Sequence, residues 1–216
     1  MNRAVASPRS LSLGKPVGVV GPNAVLQLIQ PLRNAAGDQV LQDVFRRAGL
    51  ERYLDQPPLA MVPEEEARGL FGAVRELLGT DRGDEVLRTA GRETARYVMA
   101  HRIPPPVRGL LHVLPARLAA RLLLSAIQRH AWTFAGSGSC RGVAHKGALV
   151  IAIDDNPLAT PGCPWHAGVL ETMFRTLVTR RATLHHGVCC ARGGDACRFR
   201  VRLSYLPARR RRPPAR

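Results

Sequence analysis

The strongest constraint in this sequence is a change of period near residue 130. Before it, apolar side chains recur at helical spacing; after it, they fall in short β-prone runs broken by glycine or asparagine. GPNAVLQLIQPLRNAAG closes on Gly37, and DQVLQDVFRRAGL follows with Val40, Val44 and Ala48 a turn apart, which predicts two short helices. A third is expected over PEEEARGLFGAVRELLG, where Pro63 suits a first helical position and Glu64, Glu65 and Glu66 complement the helix dipole. A fourth carries Val86, Ala90, Thr94 and Tyr97 on one side and stops at IPPP. Val107 to Gln128 is the most apolar helical stretch. After Pro115, Arg117, Arg121 and Gln128 share a narrow stripe, and Leu118, Leu122, Leu123 and Ile127 cover most of the remainder. Such a helix is expected in the core, or as one wall of a pocket for a large flat ligand.

Beyond His130, AWTFAG, SCRGVAHKG and ALVIAIDDN read as antiparallel strands. HAGVLETMFRTLVTRR reads as a helix, and ATLHHGVCC and CRFRVRL as two strands joined by ARGGDA. Helices first, then a meander with one inserted helix, specify an α+β fold: N-terminal helices packed on an antiparallel sheet, not a parallel βαβ sheet. The 216 residues, 45% hydrophobic, fit one domain at 21–206 with disordered tails at 1–20 and 207–216. No run of about 18 apolar residues occurs, and no apolar stretch follows the basic start. Neither a membrane span nor a signal peptide is expected, and a cytoplasmic protein is.

The formal charge is +16, which raises nucleic acid as a partner. Its placement weighs against that reading, because the two tails hold +8 of it. Ten aromatic residues are spread through the chain and do not interleave with the arginines as a base-stacking surface requires. An acidic partner or an anionic membrane surface suits the arginine-rich end equally well, so peripheral membrane contact is kept as an expectation.

The fifteen residues HHGVCCARGGDACRF hold three of the five cysteines. Cys189 and Cys190 are neighbours, so on a strand they face opposite ways and cannot both serve one site. Cys163, His186, Cys189 and Cys197 would make a Cys₃His set, the closed coordination of structural zinc; the alternative is that these cysteines are small apolar core side chains. His186 and Cys189 are an odd number of residues apart and need a bulge, with Gly187 as its place, to face the same way.

TPGCPWHAGVLETMF followed by LHHGVCCARGGDACRFRV resembles the carboxy-terminal signature of the 4-vinyl reductase domain family: a cysteine, a helix, then a Glu/His-x-x-Cys-x₇-Cys-x-Phe hairpin. GPNAVLQLIQPLRNAAGDQVLQDVFRRAGL and DQPPLAMVPEEEARGLFGAVRELLG extend the resemblance to about residues 20–204. The same domain occurs in sensor modules of phenol-responsive transcription activators. The resemblance therefore implies a TRAPP-subunit/NO-signalling-type ligand-binding fold. Zinc-binding members carry an acidic residue where His186 stands, and their cysteines match Cys163, Cys189 and Cys197, which implies a structural zinc on these four residues. His166, His185 and Asp195 are candidates to orient those ligands, with solvated turn residues as the plainer reading.

For function, the resemblance implies a part in bacteriochlorophyll biosynthesis, at or near reduction of the 8-vinyl (4-vinyl) group on ring B. GSGSCRG is the sole glycine-rich element and lacks G-x-G-x-x-G, and no cluster-type cysteine run is present, so no bound redox cofactor is expected. Three readings stand. The chain binds a magnesium tetrapyrrole, divinyl protochlorophyllide or chlorophyllide, and presents it to other pathway enzymes, with Arg117 and Arg121 pairing its carboxylate; or it is the vinyl reductase with an external electron donor; or it is a ligand-sensing or assembly module. A homodimer is among the expected assemblies. His101, His112 and His130 are conceivable axial magnesium ligands and are better read as ordinary surface or core histidines.

Overall fold

The computed structural model describes residues 18–145 and 148–203. The segments 1–17 and 207–216, expected as tails, lie outside the described residues. Val19 and Val20, assigned to the amino-terminal tail from sequence, instead form strand β1 (Val19–Val20), paired antiparallel with β2 (Val62–Pro63). Val20 is fully buried there. A two-residue strand whose partner lies about forty residues away leaves no periodic trace in sequence.

The helical half follows the expected order. Helix α1 (Asn23–Arg47) is broken at Gly37, whose φ of 84° and ψ of 171° leave the helical region, so the chain has two helical arms there as the glycine predicted. A short turn α2 (Arg52–Asp55) leads to α3 (Glu64–Leu78) and α4 (Thr80–His101). The stretch expected as a single helix from Val107 to Gln128 is two, α5 (Pro105–Val113) and α6 (Ala116–Arg129). Pro115 is the cause: its ring drives Leu114 to an extended ψ of 148° and it has no N–H to continue the ladder. This stretch also lies at the surface, not in the core. Ala119, Ala120, Leu123, Leu124 and Ile127 face inward, while Leu118 and Leu122 remain half-exposed. AWTFAG, expected as a strand, contains the helical turn α7 (Trp132–Ala135), closed by the Thr133 N–H and hydroxyl donating to the His130 carbonyl at 3.1 and 2.8 Å.

The second half is a four-stranded antiparallel sheet built from β3 (Ser139–His145), β4 (Ala148–Asp154), β5 (Thr183–His186) and β6 (Ala196–Arg202), in the order β3-β4-β6-β5. Helix α8 (Pro164–Leu177) is inserted between β4 and β5. Alternation sets the faces: Leu149, Ile151 and Ile153 of β4 and Cys197, Phe199 and Val201 of β6 point into the core, whereas Arg198, Arg200 and Arg202 point to solvent. Helix α6 covers the β3 side, where Leu124 fills the space a side chain on Gly142 would need. Helix α8 is pinned against α4 backbone to backbone. A Cβ on Gly91 would strike the carbonyl of Trp165, and one on Gly168 the carbonyl of Arg88. That close crossing fixes the amino terminus of α8, where the site begins. The glycine-rich GSGSCRG turn has a structural role, in which Ser137 donates its N–H and its hydroxyl, each at 2.7 Å, to the Glu64 carboxylate at the start of α3.

Candidate metal centre

Four segments converge where α8 starts. Cys163 caps α8 in the left-handed region, at φ 43° and ψ 51°, between Gly162 at φ 85° and Pro164 at the first helical position. That backbone costs a residue with a Cβ on the order of 1–2 kcal/mol, and here it turns the Cys163 thiol inward. His186 ends β5 opposite Phe199, with the two rings 4.7 Å apart. The strand then bulges: the Gly187 N–H donates to the Arg198 carbonyl, and the Arg198 N–H donates to the Val188 carbonyl, each at 2.9 Å. Two residues thus oppose one, which removes the odd count between His186 and Cys189 and brings both to one face. Cys197 comes from β6, directly across from Ile153.

One ligand atom from each of Cys163, His186, Cys189 and Cys197 lies within 4.8 Å of the other three. The Cys163 sulfur is 3.7 Å from that of Cys189 and 3.2 Å from that of Cys197. Sulfurs bound to one tetrahedral zinc at ~2.3 Å are about 3.8 Å apart, so the donors already stand near ligand spacing. The His186 Nε2 is buried without an oxygen or nitrogen partner, as a nitrogen kept for a metal would be. The donor set therefore fits zinc, and four protein ligands leave no open position for a substrate. Such a centre can staple the loop after β4 to the β5–β6 hairpin, but it is not arranged to activate a bound molecule.

The local electrostatics favour one negative charge among the thiols. The Cys197 thiol is pulled far below its ordinary range, first by the hydrogen bond donated from Cys163 and then by His186, the Cys190 N–H at 3.4 Å and Asn156, against the cost of burial. Cys163 is pushed well up, by that same bond to Cys197 first and by burial second. Cys190 and Cys140 stay outside the set. Burial raises both thiols, that of Cys140 to about 11, and the Cys190 sulfur turns to the Ile153 carbonyl at 3.9 Å.

Of the residues considered as supports, His166 is not a solvated turn residue: it is buried among Trp165, Phe134 and Phe199, and its Nε2 lies 3.2 Å from the Phe134 carbonyl. Burial pulls its pKa down to about 4, against the raising effect of that carbonyl. His185 is exposed, and Asp195 is exposed and paired with Arg198 at 2.6 Å. Sequence reasoning passed over Asn156 and Thr160. Asn156 is buried with its amide 4.0 Å from the Cys163 sulfur, and the Thr160 carbonyl accepts from Cys189 at 3.4 Å. An Asn after two aspartates at a strand end is an ordinary turn signal, so nothing marked it.

Arg117 and Arg121 are not drawn into this centre. They stand exposed on the outer face of α6 beside Leu118 and Leu122. His101, His112 and His130 are exposed as well.

The family model of the 4-vinyl reductase domain matches residues 151–203, a span that supplies all four ligand residues. Over 188 residues the chain is 39% identical to the bacteriochlorophyll synthase 23 kDa chain of Cereibacter sphaeroides, covering 84% of this chain and 89% of that one. The chain belongs to the 4-vinyl reductase domain family. The protein of the same name from Rhodobacter capsulatus is also 39% identical over 188 residues, covering 83% of this chain and 85% of that one. A solved structure from work on heme distortion in the H-NOX family superposes with a TM-score of 0.57 at 15% identity, over 85% of this chain and 95% of that one. The fold is thus the NO-signalling type expected from sequence.

Proposed function

We propose that this protein serves bacteriochlorophyll biosynthesis, at or near reduction of the 8-vinyl group, by binding a magnesium tetrapyrrole such as divinyl protochlorophyllide and presenting it to pathway enzymes. The observation that carries the reading is the meeting of two kinships on one chain: relatives that belong to bacteriochlorophyll synthesis, and a fold shared with proteins that hold a heme macrocycle. The outer face of α6 suits such a cargo chemically. Leu118 and Leu122 offer apolar surface to a flat ring, and Arg117 and Arg121, one turn apart beside them, offer guanidinium groups to its carboxylate. The zinc held by Cys163, His186, Cys189 and Cys197 is structural in this reading: it braces the β5–β6 hairpin and supplies no chemistry to the pigment. Peripheral contact with the photosynthetic membrane belongs to the same proposal, since the cargo is amphipathic.

The test is to mix purified protein with divinyl protochlorophyllide, with and without NADPH, and record spectra. Binding shifts the pigment absorption and leaves the vinyl group intact. Arg117→Leu or Arg121→Leu weakens binding about fivefold, the ~1 kcal/mol of an exposed ion pair. Conversion to monovinyl pigment over many cycles without a second polypeptide overturns the carrier reading and makes the protein the vinyl reductase, using an external donor.

A further inference from the structure

The side of the molecule built by α5, α6 and α7 is unlike the rest of its surface. Val107, Leu110 and Val113 form an outward stripe on α5, and Val113 is 80% exposed. Leu118, Leu122 and the Trp132 ring, 56% exposed, continue it across α6 and α7. A run of apolar side chains facing water on neighbouring helices marks a contact surface, because a water-facing helix ordinarily carries polar residues there. The charge is one-sided too. No aspartate or glutamate occurs between residues 94 and 153, while Arg108, Arg117, Arg121 and Arg129 lie on these helices. None of the four takes part in an ion pair among the described residues, whereas on the other helices arginines pair with acids, as Arg46 does with Asp43 at 2.7 Å and Arg92 with Glu85 at 2.9 Å.

We propose that this face seats on the surface of an anionic lipid bilayer, with Val113, Leu110 and Trp132 entering the headgroup region and the arginines meeting lipid phosphates. The inference gives the membrane contact proposed above a named surface, and it does not depend on pigment binding. Apolar side chains flanked by unpaired cations, with no acid between them, are the complement of an anionic interface, where each basic residue adds attraction. A second copy is the poorer occupant: a twofold contact through this face would set arginines against arginines with no carboxylate to answer them.

Trp132 supplies the readout, because Trp165, the other tryptophan, is buried at 3% exposure. The full-length, pigment-free protein is titrated with phosphatidylcholine vesicles, either pure or containing about one-third phosphatidylglycerol, and tryptophan emission is recorded. A blue shift with the anionic vesicles only, reversed by high salt and absent in Trp132→Phe, is expected. Arg108→Gln and Arg129→Gln each weaken the partition about fivefold. Val113→Glu, at a site too exposed to disturb the core, abolishes it. An equal shift with both vesicles, no shift with either, or an unchanged partition in the Val113→Glu variant overturns the proposal. So does a solution dimer that Val113→Glu dissociates, which would give this face to a second copy. Failure of the pigment titration leaves these outcomes untouched, so the two ideas fall separately.

Discussion

Acid should cost this protein stability through one imidazole, that of His166. The ring is fully enclosed by Trp165, Phe134 and Phe199, and its pKa falls from 6.5 to about 4 in the folded chain because burial penalises the cation. Between those two pH values the unfolded chain binds a proton that the folded chain refuses, so unfolding becomes easier as pH falls. The contribution is complete above about pH 6.5 and is lost progressively down to about pH 4. At 1.36 kcal/mol per pH unit the window is worth about 3 kcal/mol, a large share of an ordinary domain's stability. The perturbation is His166→Gln, which does not titrate and keeps an N–H for the Phe134 carbonyl. Urea unfolding at pH 7 and at pH 4.5, in both proteins, separates this effect from any acid-driven loss of metal, which both share. The wild type should lose about 2–3 kcal/mol more than the variant over that interval. Equal losses would show that His166 is reached by protons in the folded state and that the burial argument fails.

Two further outcomes follow from the geometry. Purified protein should carry about one zinc per chain; Cys197→Ala should release it and lower the melting temperature, whereas Cys190→Ala, whose sulfur faces the Ile153 carbonyl, should retain it, with metal analysis and calorimetry as the checks. Gly91→Ala should destabilise by at least the ~1–3 kcal/mol of an overpacked core, because its methyl would meet the Trp165 carbonyl, while Gly72→Ala, with nothing within 4 Å, should stabilise by ~0.5–1 kcal/mol in chemical denaturation.

Sequence carried most information where a local rule and a distant partner agreed. The odd count from His186 to Cys189 demanded a bulge, and the hydrogen bonds of Gly187 and Val188 to Arg198 provide it. The break at Gly37 and the inserted helix α8 were equally readable, since glycine and period act locally. Cys163 was harder. It stands 23 residues before His186, and only the crossing of α8 over α4 through Gly91 and Gly168, which no periodicity encodes, brings it back. The short turn α7 escaped because Trp, Thr and Phe favour strands unless a nearby carbonyl, here that of His130, closes a helical turn first. The α5–α6 surface was illegible for a different reason. A helical wheel separates an apolar side from a polar one, and burial of the apolar side is then the default assumption. On α6 the inward positions are already filled by Ala119, Ala120, Leu123, Leu124 and Ile127, and those five suffice to pack against the sheet. Leu118 and Leu122 are apolar residues the core does not use. Composition counts them with the core, but only their exposure shows that the chain has kept them for something outside itself.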